Sequence, residues 1–344
     1  MYVGLSGGVD SSVTALLLKR QGYRVVGVYM KNWTRDLPGL SCPWMDDFQD
    51  AKRVAVQLGI DFKAYDFEKQ YFDKVVKYML DGFKAGFTPN PDIMCNQEIK
   101  FKLFLETCLD DGADMIATGH YARSKNGQLR TASDQNKDQT YFLYRITPGA
   151  LEKTLWPLGE LTKTEVRQLA KRHKLVTADK KESMGICFVG KVGIKDFLSQ
   201  YVRSKQGKVI DHDGLVVGEH QGAIFYTIGQ RHGLNVGGGL PYYVVGKSIK
   251  KNEVYVSSDL QDKKLWSSVI KLADVHWINK KPSKNQKLVV RTRHRAELIP
   301  AKLLNKSSNS QLTAELDKEV RALTPGQSVV FYSGHQVLGG GIVV

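Results

Sequence analysis

Leu5-Ser6-Gly7-Gly8-Val9-Asp10-Ser11-Ser12 decides how the rest of the chain is read. The stretch follows a short apolar strand, passes through a glycine turn and leads into a helix predicted over Val13–Gln21. Glycines let the backbone approach a ligand closely, and a helix start offers unpaired N–H groups at the positive end of its dipole. Such a turn cradles an anion, above all a phosphate group. The phosphate loop GxxxxGK[ST] is absent, because no lysine follows the glycines. The plainer alternative is a glycine turn capped by Asp10 or Ser11.

Around this loop, strands alternate with helices as far as residue 120. Tyr23–Met30, Ile60–Phe67 and Ala113–Thr118 are predicted strands; Asp46–Leu58, Lys69–Phe83 and Glu98–Leu109 are predicted helices, and Leu161–His173 another, capped by Thr162. That alternation implies a parallel sheet with right-handed crossovers, whose ligands bind at the carboxyl ends of the strands. Both the Ser6–Ser12 loop and Thr118-Gly119-His120 fall there. From Gly207 onward the pattern changes to short strands and glycine turns, and a second β-rich block after Asp259 suggests a small barrel. Three domains are expected: 1–192, 193–259 and 260–344.

The 344-residue chain is 42% hydrophobic and 25% charged, the composition of a globular protein with an ample core. It has no apolar run of about 18 residues, so no membrane span or membrane partner is expected. No targeting segment is apparent ahead of the first strand, which points to a cytoplasmic protein. Four cysteines (Cys42, Cys95, Cys108, Cys187) are too few for a secreted disulfide framework. The net charge is +15, and residues 260–344 carry 14 basic against 6 acidic side chains. A basic terminal module suits a polyanion such as RNA.

Cys95 lies in Asn90-Pro91-Asp92-Ile93-Met94-Cys95-Asn96, a turn leading into a helix for which Asn96 is the expected N-cap. A cysteine there gains thiolate character from the dipole, with Lys100 and Lys102 assisting, and Asp92 is placed to orient the thiol or move a proton. Cys187, in Gly185-Ile186-Cys187-Phe188-Val189-Gly190, reads equally as a loop cysteine or an apolar strand cysteine. Cys108 has the helical spacing of a core residue. Nothing has CxxC spacing, so zinc is not supported. Asp92, Cys95 and Cys187 form at most an incomplete ligand set for an iron–sulfur cluster. Ala132–Tyr141 is a polar loop ending in aromatics, and Arg291-Thr292-Arg293-His294-Arg295 alternates three arginines along what reads as one strand face.

Ser-Gly-Gly-x-Asp-Ser resembles the pyrophosphate loop of the N-type ATP pyrophosphatases, which adenylate an oxygen so that a nucleophile can displace it. Taken with Tyr29–Trp33, Asn90–Phe101, Thr118–Arg123, Lys137–Leu143, Leu158–Ala170, Gly185–Gly190, Tyr226–Leu234 and Pro325–Tyr332, the chain closely resembles the tRNA-specific 2-thiouridylases. The resemblance implies an α/β protein: a parallel-sheet ATP pyrophosphatase domain, a small central β-rich domain and a C-terminal β-barrel that binds tRNA. It implies ATP binding by Gly4, Leu5, Ser6, Gly7, Gly8, Val9, Asp10, Ser11, Ser12, Met30 and Gly119, with Mg²⁺ assisting. It places the target base against Asn90, Pro91 and Asp92. Cys95 would be the nucleophile, Cys187 the persulfide carrier, and the two would form a catalytic disulfide. His120, Lys137, Asp138, Gln139, Arg293, His294 and Gln327 would meet tRNA, expected to be that for lysine, glutamate or glutamine. A cysteine desulfurase or sulfur-relay protein would supply the sulfur. An iron–sulfur cluster on Asp92, Cys95 and Cys187 would be the alternative sulfur chemistry. The chain departs from the family at Met184, where a small polar residue is usual, at Lys191–Ile194, and at His294, where tyrosine is common. Rival readings are an ammonia-transferring ATP pyrophosphatase, which needs no cysteine pair, and a tRNA-binding module with a relic ATP site.

Overall fold

The computed structural model describes residues 1–36, 42, 44–181, 193–234, 236–237, 241–283, 286–304 and 311–344. Strands β1 (Tyr2–Gly4), β2 (Val26–Lys31), β3 (Asp61–Asp66), β4 (Ile116–Ala117) and, further on, Thr154–Leu155 form one sheet. All its pairings are parallel. The spatial order runs β3, β2, β1, β4 and then Thr154–Leu155. β1 is wholly buried and β2 nearly so, as expected for strands covered on both faces, whereas β3 is the half-exposed edge. Successive strands run one way from β1 to β3 and the other way from β4, so the switch point lies between β1 and β4. The loops at their carboxyl ends are Leu5–Gly8 and Thr118–His120.

Local chemistry corrects several expected boundaries. The helix after β1 spans Val9–Arg20, so Asp10, Ser11 and Ser12 form its first turn and Gly8 is its N-cap. The hydroxyls of Ser11 and Ser12 bond back to the Gly8 carbonyl (3.0 and 2.8 Å), which keeps these turn-prone residues helical. The cysteine helix begins at Pro91. Its N-cap is Asn90, not Asn96: the Asn90 side chain accepts from the Asp92 N–H (3.1 Å), and proline at the first position is preset for the helix. Thr162 does cap Lys163–Arg172, in a full capping box with Glu165.

The next strands of the chain, β5 (Arg123–Lys125) and β6 (Gln128–Arg130), form a hairpin, and Thr154–Leu155 is β7. The central module pairs β8 (Gly207–Ile210), β9 (Val216–His220), β10 (Tyr243–Ser248) and β11 (Glu253–Ser257) in the order β10-β11-β8-β9. Its core is continuous with that of the first module: one apolar cluster runs from Tyr2 and Phe101 through Phe197 to Val209 and Val244. The last module has β12 (Trp266–Trp277), β13 (Leu288–Arg291), β14 (Ile299–Leu304), β15 (Gln311–Arg321), β16 (Ser328–Ser333) and β17 (Gln336–Val343). Their order is β12-β15-β14-β13-β16-β17, and β12 pairs with β17 to close a six-stranded barrel.

The barrel is welded to the first module. The β5–β6 hairpin extends its wall, with Arg130 opposite Gln336 on β17. At Gly340 an added Cβ would lie 2.8 Å from the Tyr144 ring, so the glycine there lets an aromatic of the first module press against the strand. Tyr141 and Tyr144 then donate to, or share hydrogen bonds with, the carbonyl and hydroxyl of Ser328 (2.8 and 3.1 Å), both buried. No helix among the described residues is long and apolar enough to cross a membrane.

Candidate active site

The turn after β1 admits only glycine at its sharpest point. Gly7 has φ +72°, and a side chain there would overlap the Asp47 carbonyl. Among the described residues no side chain caps the helix that follows, the arrangement in which first-turn N–H groups can meet an anion. Ser6 is exposed at the mouth, with its N–H donating to the Ser11 hydroxyl (3.1 Å), while Leu5 and Val9 are buried in the second apolar cluster. Met30 lies against Gly4, 3.2 Å from where a Cβ would stand. Ser12 is locked beneath by Thr177 (2.9 Å, buried).

Two cations stand beside the loop that sequence reading did not single out. Lys163, at the first position of the Thr162-capped helix, holds Asp10 at 2.6 and 2.8 Å, and Tyr121 donates to the same carboxylate (3.0 Å). Lys180 bridges Asp47 (2.8 Å) and Asp50 (2.6 Å) on the helix Trp44–Leu58, whose Asp47 carbonyl abuts Gly7. The only signal for Lys163 was its place within the Leu158–Ala170 match.

Gly119 ties this loop to the cysteine. A Cβ on Gly119 would sit 2.8 Å from the Ser11 nitrogen and 2.9 Å from the Asp10 carbonyl carbon. The next residue, His120, is buried with Nδ1 on the Thr118 hydroxyl (2.7 Å) and Nε2 3.4 Å from Lys100 Nζ. Burial, reinforced by Lys100, holds its pKa well below the usual histidine value, so its ring is neutral. Lys100 belongs to the cysteine helix, which widens to an i→i+5 pattern over Cys95–Leu103. One wide turn therefore separates Cys95 from Lys100 and brings them toward a common face. Gly119→Ala is expected to push the Asp10–Ser11 turn off its path, weakening ATP binding by about tenfold or more, since overpacking costs about 1–3 kcal/mol. Equilibrium dialysis with ATP checks this.

Cys95 is a free thiol, buried among Tyr71, Ile93 and Ile99. Its pKa is raised, first by burial; Lys100 opposes the shift. This reverses the expected dipole-lowered thiol, because the helix starts four residues earlier and desolvation of the thiolate outweighs the remaining dipole. Lys102 turns instead to Glu98 (3.1 Å). Asp92 is half-buried, and burial raises its carboxyl pKa against Lys100. Pro91 is buried beside it. Cys187 lies outside the described residues. Cys108 is fully buried core, as its spacing implied.

Apart from His120, which packs within the first module, the residues matched to tRNA contact stand in unequal states, several of them at the seam between first module and barrel. Lys137 is half-exposed and Arg293 exposed. Gln139 exchanges bonds with Tyr121, accepting from its N–H and donating its own N–H to the carbonyl (both 3.0 Å). The Gln327 amide donates to the Thr88 carbonyl (2.6 Å). The His294 ring packs on Phe142, centroids 4.6 Å apart. Asp138 is 1% exposed and ion-paired with Arg291 (3.0 Å). The arginines do not share one strand face: the strand ends at Arg291, and Arg295 has φ +62°, so the chain turns away after one residue of the expected alternation.

A parallel sheet with an uncapped phosphate loop at its switch point, next to a buried cysteine and joined to two β modules, defines an ATP-using HUP-type enzyme. Three family models match in series: a tRNA methyl transferase HUP domain over residues 1–191, a tRNA methyl transferase PRC-barrel domain over 195–258 and an aminomethyltransferase beta-barrel domain over 267–343. The chain is 49% identical over 350 aligned positions to the tRNA-specific 2-thiouridylase MnmA of Oceanobacillus iheyensis, covering 100% of this chain and 94% of that protein. It is 47% identical over 349 positions to the same-named protein of Bacillus subtilis, with the same coverage. The figure is 45% over 353 positions for that of Lactiplantibacillus plantarum, again with 100% and 94% covered. The chain belongs to the tRNA-specific 2-thiouridylase family.

Proposed function

We propose that this chain is a tRNA-uridine 2-sulfurtransferase, converting the C2 carbonyl of the wobble uridine to a thiocarbonyl at the expense of ATP. The observation that carries the reading is the run of contacts from the uncapped phosphate loop through Gly119 and His120 to Lys100 and the cysteine helix. This run supports the reading that adenylation and sulfur transfer share one end of the sheet.

In this reading the uridine leaves its stack and enters beside Asn90–Asp92. Its O2 attacks the α-phosphorus of ATP, Asp92 takes the N3 proton, and pyrophosphate departs. The first-turn N–H groups and Lys163 meet the charge that develops on the phosphates. The Asp10 oxygens are already taken by Lys163 and Tyr121, so the loop offers no free carboxylate to a Mg²⁺; an ion accompanying ATP would neutralise the leaving pyrophosphate without a ligand from Asp10. Adenylation turns a poor leaving oxygen into AMP. Cys187 carries the sulfur as a persulfide delivered by a protein donor, a cysteine desulfurase or sulfur-relay protein. The Cys95 thiolate attacks the inner sulfur of that persulfide, forming the Cys95–Cys187 disulfide and releasing hydrosulfide. Hydrosulfide adds to C2 and expels AMP, and a dithiol reductant restores both thiols.

The test is mass spectrometry of nucleosides from unmodified glutamate tRNA incubated anaerobically with the protein, ATP, Mg²⁺ and a sulfur source. 2-Thiouridine appearing only with ATP supports the reading; binding of tRNA with neither thiolation nor pyrophosphate release would return the chain to a binding module. A pH expectation follows from the buried thiol. With the Cys95 pKa raised, only a small thiolate fraction exists near neutrality, so single-turnover sulfur release should climb about tenfold per pH unit between pH 6 and 8. A flat profile there would take the attacking role from Cys95.

A further inference from the structure

Lys137-Asp138-Gln139 is matched to tRNA contact, yet an anionic carboxylate facing a polyanion is repelled by it. The fold resolves this. Asp138 is 1% exposed, and its two oxygens are filled by the Ala132 N–H (3.1 Å), the Thr140 hydroxyl (2.9 Å) and Arg291 Nη1 of the barrel (3.0 Å). Arg291 is 8% exposed and lies over the Tyr332 ring, 5.6 Å from its centroid. It is the last residue of β13. Directly beyond it the chain turns, carrying His294 onto Phe142 (4.6 Å) and leaving Arg293 and Arg295 exposed, with Arg293 Nη2 donating to the Arg321 carbonyl (3.1 Å).

We propose that Asp138 and Arg291 are a positioning pair, a buried rivet between first module and barrel that sets the Arg293–Arg295 turn beside Lys137 so that these cations form one basic edge for the tRNA backbone. The proposal rests on the reading that the chain binds tRNA. Neither member of the pair touches RNA in this reading: each is buried, Arg291 Nη1 satisfies Asp138, and Arg291 Nε has no partner among the described residues. Breaking one half leaves a buried charge uncompensated, whereas replacing both with apolar residues of similar size removes the need for either.

The experiment is a double-mutant cycle on the full chain, reading tRNA dissociation constants by filter binding across a salt series. Asp138→Leu and Arg291→Met are each expected to weaken binding at least about tenfold, and the double variant to return within about threefold of wild type. The double variant should also keep the wild-type salt slope; a slope smaller by about one would mean that Arg291 holds a phosphate and would overturn the proposal. So would a double variant whose loss is the product of the two single losses. Should a single variant fail to fold, hydrogen exchange on wild-type protein decides. Amides of residues 138–142 and 288–291 keep their protection when tRNA binds if the pair stays closed, and lose it if Asp138 opens toward RNA, which would refute the role. Wild-type protein that binds no tRNA would remove the proposed function instead, a result distinct from an additive cycle.

Discussion

Cys95→Ala and Cys187→Ala are each expected to lower 2-thiouridine formation by at least about a thousandfold, because members of a chemical unit cannot substitute for one another. Release of pyrophosphate on adding tRNA and ATP should persist in both, since the phosphate loop is built from Leu5–Ser12, Gly119 and Lys163 and includes neither thiol. The two losses should also differ in kind. Cys187→Ala accepts no persulfide from the donor, whereas Cys95→Ala is charged but does not release the sulfur, and radiolabelled sulfur retained on the protein reports the difference. Thiolation surviving in Cys95→Ala with added sulfide would restrict that residue to sulfur release. Thiolation surviving with donor-supplied sulfur would remove it from the mechanism.

Lys163→Met is expected to slow pyrophosphate release by about a hundredfold to a thousandfold, the scale of losing one preorganised group at a developing charge. The Lys163 side chain is only 13% exposed and reaches the loop through Asp10 at 2.6 Å. Its removal would also leave the Asp10 carboxylate facing the triphosphate, with the Tyr121 hydroxyl as its remaining side-chain partner among the described residues. These two effects separate in a second variant. If Lys163 does no more than neutralise Asp10, the double variant Lys163→Met with Asp10→Asn recovers most of the rate. If Lys163 meets the phosphates themselves, the double variant stays slow, and Lys163→Arg recovers part of it. Steady-state pyrophosphate release against ATP concentration measures each.

Much of this site was legible in the linear chain where the chemistry is carried by neighbours in sequence. The glycine turn announced the sharp strand-to-helix junction at Gly7–Gly8, Thr162 announced a capped helix, and the apolar spacing of Cys108 announced a core residue. Errors arose where two local rules competed. Asn90 and Asn96 are both good caps, and Pro91 settles the choice because its ring already has the helical φ. Arginines at alternate positions suggest a strand face only while the strand lasts, and this one stops at Arg291. Cys95 was expected to gain thiolate character; burial reverses that, and how deeply a helix start is buried depends on what the rest of the fold, Tyr71 included, packs against it.

The linear chain was enough for the glycine turn after β1, the alternation that makes a parallel sheet, the change to short strands that make a barrel, and the family. Each of these follows from backbone freedom, helix capping or hydrophobic period within about a dozen residues. Only the tertiary structure decided which charges meet. Lys163 finds Asp10 across 153 residues, and Arg291 finds Asp138 across 153 more. The first pair sits beside the glycine turn; the second is sealed in a seam that reads, along the chain, as polar surface. Pairings of this range depend on which faces pack together and on how much water that packing removes. A charge keeps the same letter whether solvated or buried, and its partner and its energy are set by the fold around it.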